Sequence, residues 1–325
     1  MTYPVPIYSR KHVQRAGENL ISPTFDTDTW IDSYRVLSNW RACHGYPINT
    51  FQATLRTKLK KIDRTALVAQ RLKRMPSILR KLERFPGMNL ARMQDIGGLR
   101  AVVSTLPMLK KLHANYLGTR FTHKLVSAYD YVSEPKESGY RSIHLIYKYK
   151  SASQSPYDGL QIELQLRTKL QHAWATAVET AGTFLEHSLK SSEGPNDWLN
   201  FFSLVSSAFA HMEKTALVPG YEDLNKDETF MRTAQESVRL GVKGLLIGYS
   251  SAVKAIPPGT VRGAYYVVEL ELEGESKSVT ITPFGRERLE DANAKYAEVE
   301  QAVAKGKPVQ VVLVSAGSID SLKKA

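Results

Sequence analysis

The sequence predicts a mixed α/β domain that is preceded by helices and followed by a small β-β-α-β module. Three observations support this fold class. Large apolar residues recur at helical spacing from residue 29 to 62, the period changes to strand-like alternation after residue 97, and Pro257-Pro258-Gly259 marks a linker. Because 325 residues are too many for one typical domain, we expect more than one folding unit.

The N-terminal part is predicted to be helical. A first helix covers 29–42, and the break and cap at 47–50 separate it from a second amphipathic helix that reaches residue 62. The apolar positions that carry this prediction are Trp30, Tyr34, Leu37, Trp40, Phe51, Leu55, Leu59 and Ile62. We therefore expect a helical preface over residues 1–65.

Strands and helices alternate in the middle of the chain. Residues 99–104, 142–150 and 160–167 are predicted to be strands, and a helix runs from 168 to about 189. Together they predict a central α/β domain over residues 66–190, in which helices flank a mixed sheet. Two further helices, 196–214 and 228–253, form a predicted extension over 191–256.

The region after the linker has the pattern of a separate module. A hairpin around Glu273-Gly274 joins strands 265–272 and 278–282, a helix reaches about residue 304, and a last strand covers 309–314. This predicts a β-β-α-β unit over residues 260–325.

Composition excludes several classes of protein. No stretch approaches the about 20 apolar residues of a membrane span, and the N-terminus lacks the apolar core of a signal peptide, so cytoplasmic residence is expected. Cys43 is the only cysteine, which excludes an internal disulfide and zinc sites with two or more thiolates. No HExxH pair and no His-Asp dipeptide is present, which argues against a metal-dependent hydrolase; any metal is expected to be held by oxygen.

Basic residues are concentrated in one segment. The net charge is +12, and eleven cations lie between Arg56 and Arg84 against Asp63 and Glu83: Arg56, Lys58, Lys60, Lys61, Arg64, Arg71, Lys73, Arg74, Arg80, Lys81 and Arg84. Such a run predicts a polyanion nearby, although solvated helix faces show the same composition.

Two acidic positions are candidates for catalysis or metal binding. In the strand 160–167, alternation places Glu163, Gln165 and Arg167 on one face, which is also the pattern of a half-buried strand with a solvated side. Asp95 precedes two glycines at the mouth of a strand, where a carboxylate could hold magnesium or belong to a turn.

Two further segments could bind a nucleotide. Pro76 is well placed to open a helix, which leaves free N–H groups near Ser77. Ser77 and Lys81 lie on one face of this helix, and Arg71 and Lys73 flank its start. The P-loop pattern is absent. The loop 130–144 presents a lysine, an aromatic and an arginine that could stack a base and bind its phosphates: Lys136, Tyr140 and Arg141. Tyr140 could equally be a rim residue of the core.

In this order, the motifs resemble the RelA/SpoT (p)ppGpp synthetase domain, including the small alarmone synthetases. The resemblance covers about 71–179 and rests on four blocks followed by Ala173-Trp174-Ala175: Arg71-x-Lys73-x-x-x-Ser77-Ile-x-x-Lys81, Asp95-Ile-x-Gly98-x-Arg100, Pro-Lys136-x-x-Gly139-Tyr140-x-Ser142-x-His144 and Glu163-x-Gln165-x-Arg167-Thr168. It implies a nucleotidyltransferase-like synthetase fold that moves pyrophosphate from ATP to a ribose hydroxyl with Mg²⁺.

The resemblance also implies a role for each candidate residue. Arg71 and Arg100 would sandwich the adenine of ATP, and three residues would grip its phosphates: Lys73, Ser77 and Lys81. Asp95 would hold the metal, and Glu163 would share it or act as general base. The strand would be ordered by Gln165 and Arg167, and the acceptor would be bound by Lys136, Tyr140, Arg141 and His144.

The acceptor is less defined than the donor. Where small alarmone synthetases often carry Asn or Asp after the Arg-Thr block, this chain has Gln171-His172, so His172 is either an acceptor contact or a packed helix residue. Related toxic members pyrophosphorylate the 3′ end of tRNA, some with a C-terminal antitoxin-like segment that senses phage capsid protein. The basic segment, the appended module and His172 favour tRNA over GDP or GTP.

Two other interpretations remain open at the level of sequence. The C-terminal module could be a partner-binding domain that inhibits the enzyme in cis, through its hairpin edge or the apolar strand 309–314. The chain could also be a catalytically silent RNA-binding protein, although both metal-side acids, Asp95 and Glu163, are present.

Overall fold

The computed structural model describes residues 3–24, 26–118, 121–184, 189, 194–243, 265–271, 279–285, 287–304 and 309–315. Three helices come first: α1 (Arg10–Leu20), α2 (Thr27–Ala42) and α3 (Gly45–Ile62). The predicted break at 47–50 is wrong, because the helices separate at Cys43 and His44 and Pro47 lies in the first turn of α3, where its missing N–H is tolerated.

A five-stranded mixed sheet forms the centre of the chain and confirms the predicted fold class. Its order is β1-β2-β5-β4-β3, with β2 and β5 parallel and the other pairs antiparallel. The strands are β1 (Leu67–Leu72), β2 (Gly97–Val103), β3 (Lys124–Asp130), β4 (Ile143–Lys148) and β5 (Gln161–Thr168), and the flanking helices are α4 (Met75–Arg84), α5 (Leu106–Gly118) and α6 (Lys169–Phe184).

The two faces of the sheet differ, because one packs against helices in the main core and the other carries polar side chains. Ile162, Leu164 and Leu166 are fully buried in the main core with apolar residues of α3 and α5. A Cβ added at Gly97, beside Ile162, would lie 3.1 Å from the Cβ of His44, which places the start of α3 on this face. Because α3 and α5 cover one face, the opposite face is left for Glu163, Gln165 and Arg167.

The strand that carries these polar residues lies at the centre of the sheet. β5 pairs with β2 on one side and β4 on the other, and seven of its eight residues are buried. The alternative of a solvated strand face is therefore wrong: this polar face is covered by protein. Buried polar groups require partners, and their partners define the candidate site.

A second core lies beyond α6. Helices α7 (Asn196–Glu213) and α8 (Lys226–Arg239) follow, and Trp174 of α6 packs with Trp198, Phe201 and Phe202 of α7. A capping box at Asn225 and Glu228 begins α8. The predicted continuation of this helix to residue 253 and the linker 257–259 lie largely outside the described residues.

The C-terminal module has the predicted order β-β-α-β. It comprises β6 (Tyr265–Glu271), β7 (Val279–Phe284), α9 (Leu289–Ala304) and β8 (Val309–Ser315), and the sheet order is β7-β6-β8. Val267, Tyr296 and Val299 lie in its own small core. In the described part of the chain, no helix has the length and apolar character that crossing a membrane requires.

Candidate active site

Strand register brings the candidate residues together on one face of the sheet. Glu163 pairs with Gly98, which pairs with Arg71, and one step along the strands Gln165 pairs with Arg100. His144 lies opposite Gln165 on the other side of β5. Residues directly opposite one another point to the same face, so segments far apart in the sequence contribute to one surface.

Glu163 is the centre of a hydrogen-bonded network. Its side chain is buried, its Oε1 lies 2.7 Å from His144 Nδ1, and its Oε2 accepts a hydrogen bond of 2.8 Å from Gln165 Nε2. Burial raises the pKa of this carboxyl, but the hydrogen bond and charge of His144 outweigh it, so the pKa is below its ordinary value. Glu163 therefore remains a carboxylate.

His144 links this carboxylate to the loop before β4. Its Nε2 lies 2.7 Å from the hydroxyl of Tyr140, on the side of the ring away from Glu163. Burial lowers the pKa of His144, but the bond to Glu163 and the neighbouring Tyr140 more than compensate, so its pKa is raised. The imidazole thereby orients the candidate base.

Two guanidinium groups lie beside this network. Arg167 is 0% exposed and donates a 2.7 Å hydrogen bond from Nη2 to the Tyr140 hydroxyl. Among the described residues its Nε and Nη1 have no hydrogen-bond partner. Burial, followed by the charge of Arg167, lowers the pKa of Arg100 to about 10. A buried cation with free donors, beside the second guanidinium of Arg100, favours an anionic ligand at this position.

Asp95 lies between two lysines. Lys73 Nζ is 2.8 Å from Oδ2 and Lys81 Nζ is 2.9 Å from Oδ1. Burial alone would raise the pKa of Asp95, but the two ammonium groups together have the larger effect and lower this pKa to about 2. Lys73 and Lys81 thus both contact Asp95, which remains a carboxylate at neutral pH.

Asp95 and Glu163 are carboxylates, the type of ligand that a magnesium ion prefers. Asp95 precedes β2 and Glu163 lies on the parallel strand β5, and the charge of Asp95 is among the influences that raise the pKa of Glu163. Mg²⁺ is usually bound by one or two carboxylates together with substrate phosphates. Each carboxylate oxygen has one protein partner, and a carboxylate can accept about four hydrogen bonds, so binding capacity remains.

Helix α4 begins beside these lysines. Pro76 is its second residue rather than its first, and Arg74 at the N-cap provides no side-chain hydrogen bond. Instead, Glu300 of α9 accepts a hydrogen bond of 3.0 Å from the N–H of Met75. A cavity between α4 and the C-terminal module is lined by Ser77, Arg74 and Glu300, among others. The predicted phosphate-binding helix start is thus covered by the module.

The loop before β4 is held in a tight turn. Gly139 has a positive φ of 83°, and its N–H donates to the carbonyl of Lys136 at 2.8 Å. A Cβ there would lie 2.9 Å from Ser206 and 3.0 Å from Trp174, so only glycine fits. The turn presents Lys136, whose Nζ is 4.5 Å from the ring centre of Tyr131.

Tyr140 is part of the network rather than an open stacking surface. Only 8% of the residue is exposed, and the ring meets Tyr131, His144 and Trp174 edge to face. Its predicted role in stacking the acceptor base remains a prediction, because the ring faces would first have to be uncovered.

Residues 70–186 match the family model described as a region found in RelA / SpoT proteins. This segment therefore contains the region that RelA and SpoT proteins share.

Relatives of the RelA/SpoT segment cover part of each chain. Similarity of 36% identity over 127 residues is found to GTP pyrophosphokinase YjbM of Bacillus subtilis, covering 38% of this chain and 54% of that protein. GTP pyrophosphokinase YwaC of the same species is 30% identical over 112 residues, or 33% and 52% of the two chains. The chain thus spans about half the length of the curated relatives it matches.

A solved structure is also similar to part of the chain. The crystal structure of small alarmone synthetase 1 from Bacillus subtilis bound to its product pppGpp shares 28% identity, with a TM-score of 0.45, over 55% of this chain and 94% of that one.

Arg141, predicted as an acceptor contact of the RelA/SpoT segment, lies outside the hydrogen-bonded network around Glu163. It is 3% exposed, and its Nε donates a 2.8 Å hydrogen bond to Ser206 Oγ on α7, while Nη1 reaches Thr215 Oγ1 at 3.3 Å. The side chain therefore links the loop before β4 to the helical extension and is not brought into the site. Alternation along the chain explains this, because Tyr140 and Arg141 point in opposite directions.

Replacing Arg141 by leucine should lower stability rather than acceptor affinity. The loss of hydrogen bonds from a buried cation costs about 2–3 kcal/mol, which denaturant unfolding will measure, whereas the KM for the acceptor should be unchanged. Arg56→Leu, at an exposed position of α3, is the matched control. A selective rise in the KM for the acceptor in the Arg141 variant would show that Arg141 contributes to acceptor binding.

His172 is placed on α6, half-buried, at the fourth helical position. The preceding Gln171 accepts a hydrogen bond from the N–H of Thr168 and donates to Glu213, so it fixes the start of α6 to α7. No contact described for His172 connects it with Glu163, and its acceptor role stays a prediction.

Three residues of the site were missed in the sequence. Glu300 contacts α4 from 225 positions away, and no local pattern reveals such a contact. Tyr129 and Tyr131 lie at the end of β3, a strand that was not predicted. Their spacing of two could have indicated aromatic side chains on one face of a strand.

Proposed function

We propose that this chain transfers the β,γ-pyrophosphate of ATP to a ribose 3′-hydroxyl, and that the favoured acceptor is the 3′ end of tRNA. The observation that supports this best is the buried, ionised Glu163, which His144 orients and which shares its face of the sheet with Arg71 and Arg100. A carboxylate in that position can accept a proton from an alcohol, and the cations can stabilise phosphate charge.

ATP is proposed to bind across β1, β2 and α4. Arg71 and Arg100 lie diagonally on adjacent strands, where side chains are about 7–8 Å apart, a spacing that suits an adenine between two planar guanidinium groups. Lys73 and Lys81, together with Ser77 at the N-terminus of α4, would hold the phosphates.

Transfer then requires one proton acceptor and one leaving group. The 3′-hydroxyl gives its proton to Glu163 as its oxygen attacks the β-phosphorus, the bond from that phosphorus to the α,β-bridging oxygen breaks, and AMP departs. Lys73, Lys81 and Arg100 neutralise the charge of the transferred group. Magnesium, held by Asp95 and Glu163, would supply further charge neutralisation when bound.

The choice of acceptor rests on features outside this chemistry. The net charge of +12, the Gln171-His172 pair and the C-terminal module favour tRNA, because contacts to an RNA backbone need distributed cations. In the structure α3 carries part of the basic segment on the opposite face of the sheet. The members of this segment that reach the site are Arg71 of β1, Lys81 of α4 and Lys73, which lies between these two elements. GDP or GTP is the alternative acceptor, by similarity to the GTP pyrophosphokinases.

The deciding experiment offers acceptors in parallel. The full chain is incubated with γ-labelled ATP and magnesium together with deacylated tRNA, GDP, GTP or ATP. Label on tRNA is expected. Label on GDP or GTP alone would replace tRNA by the alarmone reaction, and the absence of label in all cases, with RNA binding retained, would favour the silent RNA-binding interpretation.

We further propose that the C-terminal module restrains the enzyme, as in a fused toxin and antitoxin that responds to a protein ligand such as phage capsid protein. The contact of Glu300 with the start of α4 supports restraint in cis. Its carboxylate occupies the helix end at which ATP phosphates are proposed to bind, and its position is fixed by the hydroxyl of Tyr296 and by Arg41, whose Nη1 lies 3.9 Å away.

A further inference from the structure

The outer edge of the active face carries an aromatic pair. Tyr129 pairs with His144 in the register of β3 and β4, so its side chain lies on the face of the candidate base, one strand further out. The residue is 41% exposed, and its ring is parallel to that of Tyr131, with centroids 5.9 Å apart. Tyr131 in turn meets the His144 ring edge to face at 5.4 Å.

Two lysines continue this edge on the same face. Lys124 of β3 lies directly opposite Lys148 of β4, and Lys148 pairs with Gln161, which is two residues from Glu163. A bulge at Val126 makes this alignment possible, because without the extra residue Lys124 would face the opposite side from Ser127 and Tyr129.

The lysine pair has no compensating acid. Like charges directly opposite in a sheet are destabilising, and within the described part of the chain no carboxylate lies within ion-pair distance of Lys124 or Lys148. Both residues are exposed. Such an arrangement is stabilised by a bound anion.

We propose that these residues form an edge track for the single-stranded 3′ end of an RNA acceptor: Tyr129, Tyr131, Lys124, Lys136 and Lys148. Tyr129 stacks a base next to the reacting nucleotide, Lys136 contacts a phosphate near Tyr131, and the lysine pair holds the backbone further upstream. Aromatic platforms with distributed cations are the usual chemistry of single-strand binding. This inference rests on the proposed RNA acceptor.

The dimensions of the track favour a polymer. Lys148 is four residues along β4 from His144, or roughly 13 Å at the rise of a strand. A lysine at that distance from the site would contact the RNA backbone upstream of the terminal ribose. A base on Tyr129 would lie one strand outward from the ribose at Glu163.

RNA binding by the full chain tests the track without requiring turnover. Fluorescent deacylated tRNA is titrated against the native protein and three variants: Tyr129→Ala, Tyr129→Phe and Lys124→Glu/Lys148→Glu. Loss of one stacked base should weaken binding by roughly 5- to 150-fold in Tyr129→Ala, and phenylalanine should retain affinity. The double lysine variant should bind more weakly and reduce the salt slope by about 2.

A matched control distinguishes tRNA binding by the edge track from non-specific attraction between tRNA and the charge of the protein surface. Lys110→Glu/Lys111→Glu removes two exposed lysines of α5, on the opposite face of the sheet, and should leave tRNA affinity closer to native. Equal losses in the two double variants, unchanged affinity in the track variants, or no binding of tRNA by the native chain would each overturn the edge track.

The proposed acceptor is tested separately by transfer of label. If tRNA is labelled normally by the track variants at low tRNA concentration, the track is wrong and the acceptor stands. If the native chain binds tRNA through these residues but labels only GDP or GTP, the acceptor is wrong and the residues form an RNA-binding surface only.

Discussion

Glu163→Gln should reduce pyrophosphate transfer by about 10²- to 10⁴-fold, the contribution typical of a general base. The amide can keep a hydrogen bond with His144 or Gln165 but cannot accept a proton from the attacking hydroxyl. Transfer from labelled ATP, followed over time with each acceptor, measures the loss. Calorimetry with ATP should show that nucleotide binding is largely retained.

The control for this variant is Glu83→Gln, at an exposed position of α4, which should leave transfer unchanged. Full activity in Glu163→Gln would remove the assignment of the base. Equal loss in both variants would indicate a general effect on the fold.

Glu300→Ala should increase activity by roughly tenfold or more. The variant removes a charge-assisted hydrogen bond to the N–H of Met75, and such bonds contribute about 1.5–3 kcal/mol, which corresponds to a shift of one to two orders of magnitude between restrained and free forms. The KM for ATP should fall, because the start of α4 becomes accessible.

Glu298→Ala is the matched control on the same helix, since this side chain is exposed and pairs only locally with Lys295. Deletion of residues 260–325 should reproduce the effect of Glu300→Ala. Unchanged activity and ATP affinity in both Glu300→Ala and the deletion would show that the module does not restrain the enzyme.

The sequence predicted which residues of the central strands share one face, because those residues lie close together in local motifs. Alternation placed Glu163, Gln165 and Arg167 on one face, and the structure shows that face buried at the centre of the sheet. The spacing around Pro76 placed Lys81 near a helix start, and its contact with Asp95 follows from the position of β2.

Other elements gave weaker signals. The strand β1 lies within a basic segment whose composition resembles a helix face, and β3 is an edge strand exposed on both sides, so neither shows the apolar alternation of a half-buried strand. Helix α1 has a polar composition and depends on four buried residues for its packing. Contacts such as Glu300 with Met75 depend on tertiary structure, which periodicity does not encode.

The link from Arg141 to Ser206, together with the close fit of Gly139 against Ser206, ties the loop that is proposed to bind the acceptor to a helix beyond the RelA/SpoT segment. The match to the family model ends at residue 186, but the turn that presents Lys136 is bonded to α7 through the hydrogen bond from Ser203 to the carbonyl of Glu137. The matched segment and the unit that folds therefore have different borders. A transplant of residues 70–186 into another protein would need α7 as well.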